Sequence, residues 1–187
     1  MKYDIILAGV GGQGVLSVAA CIATSAMLQG LNVRQSEVHG MAQRGGAVMS
    51  HLRISDKEIP GDLVGRGNAD MILSMEPLES LRYLDYLNPE GKIVTSSETV
   101  INIPDYPDES EIIENVKATG VSVIVDAKAI ARESGNMKAA NIVIVGAASS
   151  YLPVEQKYIE QAIKQMFSAK GEDVVEQNLK AFISGRA

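Results

Sequence analysis

The chain is poor in the residues that hold metals and redox centres. Its 187 residues include one cysteine, Cys21, and two histidines, His39 and His51. One cysteine cannot close an intramolecular disulfide, and it cannot supply the roughly four thiolates that an iron–sulfur cluster needs. Two histidines without further cysteine do not make up the ligand set of a structural zinc site. The sequence therefore predicts no metal ligands and no cluster on this chain.

Long apolar runs and an excess of basic charge are also absent. No window approaches the ~18 consecutive apolar residues of a membrane span. The first apolar run is short and passes directly into glycines, which is untypical of a secretory signal. The formal net charge is −6, which does not favour nucleic acid as a partner. We expect a single cytoplasmic domain over residues 1–187, without membrane or nucleic-acid contacts.

What is present is an alternation of strand and helix patterns. Apolar runs bounded by turn residues predict strands over 3–8, 31–38, 47–55, 69–75, 92–97 and 121–127. Helical patterns cover 15–29, 77–87, 110–120, 154–167 and 172–185. Residues 88–91 are predicted to form a turn, the last strand runs into the segment 127–135, and 136–150 fits a helix or a mixture of strand and turn. This order predicts an α/β three-layer sandwich with a mostly parallel, Rossmann-like sheet. The third strand follows a loop instead of a helix, so it is expected to run antiparallel.

The stretch GVGGQG follows the first predicted strand and opens the first helix. Gly9, Gly11 and Gly14 have the spacing of a dinucleotide-binding turn, and Gly12 and Gln13 lie inside it. Backbone amides at such a turn favour an anion, most often a phosphate. Three interpretations stay open: tight packing, an anion site, or a dinucleotide site. The position that would bind a ribose hydroxyl falls near Arg34, which suits a 2′-phosphate and keeps NADP among the alternatives.

A second polar segment, HGMAQRGG, joins the second and third predicted strands. It contributes His39, Gln43, Arg44, Gly45 and Gly46 to the edge of the sheet where the glycine turn lies. Glycines allow close approach to a ligand or a partner, and arginine suits a carboxylate or a phosphate. We expect these residues to contact substrate or partner, with Arg44 among the cofactor-binding groups and His39 as a proton donor or an orienting group.

The remaining reactive side chains have simpler interpretations. His51 lies inside a strand and is predicted to be a structural hydrogen-bonding group. Cys21, on a buried helix face, is predicted to be an inert small hydrophobe. Tyr83 and Tyr86 are candidates for an interface.

Together, GVGGQG, EVHGMAQRGG and VMSHLR resemble the gamma-type domain of 2-oxoacid:ferredoxin oxidoreductases. The sequence HGMAQRGG most resembles the corresponding segment in one branch of this family, the beta subunits of indolepyruvate ferredoxin oxidoreductases. The resemblance extends through ADMILSMEPLESLRYL and NPEGKIV, so it covers residues 3–96 closely. Residues 97–120 carry no motif that matches.

The resemblance implies an enzyme subunit that is inactive alone and has no catalytic residue of its own. Such enzymes decarboxylate a 2-oxoacid oxidatively to an acyl-CoA and reduce ferredoxin. Thiamine diphosphate, magnesium and the iron–sulfur clusters are then expected on a large alpha subunit. This chain would pack against that subunit and help to shape the pocket for coenzyme A or an aryl 2-oxoacid.

Two other functions stay open from the residues. One is an independent NADP-binding oxidoreductase, based on the glycine spacing and Arg34. The other is a regulatory module that senses coenzyme A. Binding of NADP(H), or of coenzyme A, by the chain without any partner would distinguish them from a subunit.

Overall fold

The fold is built around one mixed sheet of six strands. A computed structural model describes residues 1–39 and 45–186. The strands are β1 (Lys2–Val10), β2 (Asn32–His39), β3 (Ala47–Ser55), β4 (Ala69–Ser74), β5 (Leu87–Ser96) and β6 (Ser122–Val125). Their order across the sheet is β2-β3-β1-β4-β5-β6. β1, β4, β5 and β6 are parallel, whereas β3 is antiparallel to both β1 and β2. The predicted α/β architecture and the antiparallel third strand are confirmed.

Helices cover both faces of the sheet. They are α1 (Val15–Leu28), α2 (Pro77–Arg82), α3 (Glu109–Ala118), α4 (Ala127–Glu133), α5 (Ala140–Ser149), α6 (Gln156–Phe167) and α7 (Glu172–Gly185). Successive side chains of a strand point to opposite faces. In β1, Ile5 and Leu7 therefore join the larger core, which lies under α1 and α4–α7, and Ile6 joins a smaller core on the other face. The smaller core also holds Val116 of α3.

Two local predictions were wrong and one open segment is resolved. Residues 88–91 do not end an element, because they form a bulge within β5 where the pairing moves from Ala69–Leu87 to Met71–Lys92. Asn88 still makes a local hydrogen bond of the kind found in turns, because its Oδ1 accepts from the amide of Glu90 at 2.9 Å. The helix predicted over 77–87 ends at Arg82, and residues 84–86 form a separate 3-10 turn. The segment 136–150 contains α5 and no strand.

Candidate functional site

The candidate site lies at the edge of the sheet where the parallel strands end. β1 ends at the glycine turn, β4 at Ser74, β5 at Ser96 and β6 at Val125. Loops beyond the carboxyl ends of parallel strands are the usual place for ligands in open α/β sheets. In this chain the same edge also receives the start of β3, because Val10 pairs with Ala47.

The glycine turn is fastened to its neighbours by hydrogen bonds. The Gly11 amide donates to the Gly46 carbonyl at 2.9 Å, and the Gln13 amide donates to the Val10 carbonyl at 3.1 Å. The Gln13 side chain accepts from the Val10 amide at 2.7 Å and donates to the Met75 carbonyl at 3.2 Å. The side-chain amide of Gln13 therefore connects the ends of β1 and β4, and both of its polar atoms are used in hydrogen bonds within the fold.

Other backbone groups of the turn are free for a ligand. Gly12 and Gly14 have φ of 102° and 82°, conformations that glycine adopts at little cost. Gly14 precedes α1, whose first internal bond is made by Val18 to the Gly14 carbonyl at 3.1 Å. Within residues 1–39 and 45–186, no hydrogen bond is made by the amides of Gly12, Gly14, Val15, Leu16 and Ser17. Unpaired amides at a helix start suit an anion, so the prediction of an anion site keeps its physical support.

The second predicted segment meets the first at its glycines. Gly46 receives the hydrogen bond from Gly11, and the carbonyl of Gly45 accepts from Asn102 Nδ2 at 3.0 Å. His39 is the last residue of β2. Gln43 and Arg44 lie outside the described residues. The structure thus brings Gly9, Gly11–Gly14, Gly45 and Gly46 to one edge.

A cavity of about 230 Å³ opens beside the glycine turn. It is lined by Gln13, Met75, Ser96, Glu98, Val100, Ala127, Ala140, Asn141 and Ile144. Complete sites for small molecules usually measure about 300–1,000 Å³. The cavity therefore accommodates part of a ligand and leaves the rest to be enclosed by another chain or by solvent.

Asn141 was not predicted from the sequence, and it contacts both the turn and the cavity. A Cβ on Gly14 would lie 2.9 Å from Asn141 Nδ2, so the glycine makes room for this amide. Within the described ranges the Asn141 side chain makes no hydrogen bond. It also lines a larger cavity of about 780 Å³, whose wall includes Ser17, Lys138 and Lys170. An unpaired side-chain amide between two cavities can donate a hydrogen bond to a polar ligand and accept one from it.

A second polar cluster lies after β4 and was likewise missed. Glu76 is the buried residue that caps the start of α2. Its Oε2 accepts from the Glu79 amide at 2.8 Å and its Oε1 from the hydroxyl of Tyr106. Burial, and then the bond to Glu76, raises the pKa of Tyr106. Glu79 is also buried, and burial raises its pKa although Arg82 Nε lies 3.2 Å from Oε2. The sequence predicts only that a helix begins at residue 77.

Arg34 does not lie beside the glycine turn. It is the third residue of β2 and lies opposite Arg53, which is itself opposite Asp4 of β1. Six residues of strand, about 20 Å, separate Asp4 from Val10. Arg34 Nε instead lies 3.8 Å from Asp62 Oδ1. The residue on which the NADP interpretation rested is therefore far from the turn.

The other two reactive side chains are structural, as predicted. His51 is 3% exposed and its Nδ1 accepts from the amide of Val64 at 3.1 Å. Burial, and then the charge of Arg53, lowers the pKa of His51. Cys21 is fully buried, and burial raises the pKa of its thiol to about 12. Tyr86 packs edge-on against His51 with ring centres 5.8 Å apart.

Residues 1–39 and 45–186 contain neither a cluster of metal ligands nor a membrane-spanning helix. No group of three or more histidine, cysteine, aspartate or glutamate residues there is placed to hold a metal ion. No helix in this part of the chain has the length and apolar character needed to cross a membrane.

Comparisons with known proteins point to one family. The model of the pyruvate ferredoxin/flavodoxin oxidoreductase family matches residues 4–187. The indolepyruvate oxidoreductase subunit IorB of Archaeoglobus fulgidus is 38% identical over 194 residues, which cover 99% of this chain and 94% of that protein. The 2-oxoglutarate synthase subunit KorC of Methanothermobacter marburgensis is 32% identical and is covered to 96%.

A solved structure shares the fold. The 2-oxoglutarate:ferredoxin oxidoreductase of Magnetococcus marinus, solved with 2-oxoglutarate, coenzyme A and succinyl-CoA, superposes with a TM-score of 0.78 at 24% identity. The match covers 99% of this chain but 30% of that one, so the fold there forms part of a longer polypeptide.

Proposed function

Since the chain belongs to the pyruvate ferredoxin/flavodoxin oxidoreductase family, we propose that it is the small subunit of an indolepyruvate or arylpyruvate:ferredoxin oxidoreductase. The observation that carries the proposal is the 38% identity to an indolepyruvate oxidoreductase subunit along 99% of the chain. The proposed unit spans residues 1–187 as one gamma-type domain and works in the cytoplasm. It supports oxidative decarboxylation of a 2-oxoacid to an acyl-CoA, with ferredoxin as electron acceptor.

The chain's own residues do not fit the redox cofactor of such an enzyme. Cys21 is the only cysteine in the sequence, and it is fully buried with a raised pKa. A buried, protonated thiol on its own cannot hold an iron–sulfur cluster. We therefore assign the clusters, thiamine diphosphate and magnesium to the large subunit.

The carboxyl edge fits part of coenzyme A. The free amides of Gly12 and of residues 14–17 suit a phosphate, and the cavity lined by Asn141 and Ser96 suits a slender group that is part apolar and part amide. Coenzyme A supplies the thiol that accepts the acyl group. On this chain Gly9, Gly11, Gly12, Gly14 and Arg44 would hold the coenzyme.

The other residues of the edge have supporting parts. Gln13 would keep the turn in shape, and Asn141 would orient the bound group. His39, Gln43, Gly45 and Gly46 would contact the oxoacid or the large subunit. The position of Arg34 leaves the NADP alternative without its main residue, and no observation favours a separate sensor of coenzyme A.

Coenzyme binding is tested on the reconstituted complex. We expect Arg44→Ala and Asn141→Ala to raise the KM for coenzyme A about tenfold, because each removes a polar contact to the coenzyme. Arg34→Ala is the matched control and should leave that KM unchanged. An unchanged KM in the first two variants would refute the residue assignment.

Assembly is tested by co-expressing the tagged chain with the large subunit of the same organism. The purified complex should contain both chains in fixed ratio, together with iron and thiamine diphosphate, whereas the chain alone should contain neither. If the two chains never co-purify, the subunit proposal fails.

A further inference from the structure

Two large apolar side chains stand exposed on the loop between β5 and α3. Ile101 is 71% exposed and Ile103 is 39% exposed. Both belong to loop 97–108, which borders the cavity through Glu98 and Val100. Isolated apolar residues are common on surfaces, but two that flank one residue of a loop at a binding edge form a patch.

The loop holds this patch in place at three points. Thr99 Oγ1 donates to Glu109 Oε1 at 2.6 Å, and Asn102 Nδ2 donates to the Gly45 carbonyl at 3.0 Å. The hydroxyl of Tyr106 donates to Glu76. Asn102, between the two isoleucines, therefore points back into the protein while its neighbours remain outside. A presented patch of this kind costs little conformational entropy when a partner covers it.

The surroundings of the patch are acidic. Residues 93–116 contain six carboxylates, Glu98, Asp105, Asp108, Glu109, Glu111 and Glu114, and no lysine or arginine. Among the cations of residues 1–39 and 45–186, one from another segment pairs with this group, Lys128, whose Nζ lies 2.5 Å from Glu98 Oε1. A second copy of this chain would bring acidic rim against acidic rim, which is unfavourable. The charge suits a different protein whose apolar pocket is rimmed by lysine or arginine.

We propose that Ile101 and Ile103 form the centre of the surface that docks on the large oxidoreductase subunit, with Asp105 at its charged rim. This inference rests on the proposed function. Docking there would close the 230 Å³ cavity from the solvent side.

The test measures the Kd between the purified chain and the purified large subunit, by calorimetry. The double variant Ile101→Ser/Ile103→Ser should raise the Kd at least about tenfold, because central apolar contacts carry most of the affinity of an interface. The matched control is Leu63→Ser/Ile183→Ser, which alters two isolated exposed residues of 62% and 47% exposure elsewhere. The control should keep the wild-type Kd within about twofold.

A charge variant keeps the test independent of folding effects. Asp105→Lys should weaken binding a few-fold at low salt and lose its effect at high salt, whereas Glu58→Lys on loop 56–68 should not. Equal Kd values for wild type, the isoleucine variant and Asp105→Lys would overturn this surface while leaving the subunit function intact. A wild-type chain that does not bind the large subunit would overturn both proposals.

Discussion

The turn 9–14 and the loop 97–108 lie at the same edge of the sheet but differ in where their side chains point. In the turn, Gln13 joins Val10 to Met75 inside the protein, and Gly11 is bonded to Gly46. In the loop, Asn102 and Tyr106 point inward and the two isoleucines point outward. The glycine motif, which resembles a ligand site, therefore also connects the ends of neighbouring strands. The loop 97–108, which carries no motif, presents the exposed apolar side chains.

The difference predicts that substitutions in the turn act on stability and substitutions in the loop act on association. The largest effect is expected at Gly9, where a Cβ would lie 2.8 Å from Val15 Cγ2 and 3.1 Å from Met75 Cβ. Gly9→Ala should lower the free energy of unfolding by about 2 kcal/mol through overpacking. Gly12→Ala is the control, since nothing lies within 4 Å of its Cβ and only the backbone cost of about 1 kcal/mol applies. Urea unfolding measures both, and equal losses would contradict the packing role of Gly9.

Gln13 tests whether the joint depends on hydrogen bonds. Gln13→Ala leaves the Val10 amide and the Met75 carbonyl without a partner and should cost about 1.5 kcal/mol of unfolding free energy. Gln13→Glu keeps the acceptor for Val10 and should cost less than alanine. If alanine and glutamate behave alike in thermal and urea unfolding, the bond to Val10 does not carry the stabilisation.

Two of the three groups that anchor loop 97–108 are carboxylates, Glu76 and Glu109, and Glu79 is a further buried carboxyl in α2. Stability around Glu79 should therefore depend on pH, which is not expected of the turn 9–14. Burial raises the pKa of Glu79 above its ordinary value of 4.5. Below pH 4.5 both folded and unfolded chains are protonated there, and the contribution to stability is fully present. As the pH rises through the raised pKa, the folded chain must ionise a buried carboxyl and that contribution is lost.

The Glu79→Gln variant isolates this contribution. The free energy of unfolding of the wild type, relative to the variant, should fall as the pH rises from 4 through the weakly acid range. Urea titrations at stepped pH measure it, and a relative stability that rises with pH would show that the pKa of Glu79 is lowered instead.

The smallest effect on stability is expected at Ile101, the most exposed of the large apolar side chains that the structure describes. Ile101→Ser should change the free energy of unfolding by no more than about 0.5 kcal/mol, because 71% of that residue already faces solvent. A loss of about 2 kcal/mol would mean that Ile101 packs into the fold, and the comparison with the turn would no longer hold.

Much of the fold could be predicted because local patterns decide it. The alternation of strands and helices, β3 with its bounds 47–55, and the helix start after Gly14 all follow from periodicity and glycine placement. The residues 88–91 could not be predicted correctly, because whether Asn-Pro-Glu-Gly ends an element or bulges within a strand depends on the pairing with β4. The end of α2 at Arg82 likewise depends on packing that the helical pattern over 77–87 does not reveal.

The candidate site could be predicted in outline only. Gly9–Gly14 and Gly45–Gly46 were identified, and the structure brings them together through one backbone bond. Asn141 was missed, because it lies 127 residues beyond Gly14 and only the packing of α5 against α1 places it there. Arg34 was considered for a phosphate, but counting along the chain cannot tell that β2 carries it away from the turn.

The most direct test of the central claim is the rate of ferredoxin reduction in a mixture of this chain with the large subunit, indolepyruvate and coenzyme A. We predict that neither chain reduces ferredoxin alone. As this chain is added to the large subunit, the rate should rise and then level off at a fixed ratio of the two chains. A large subunit that reaches the full rate without this chain would contradict the account.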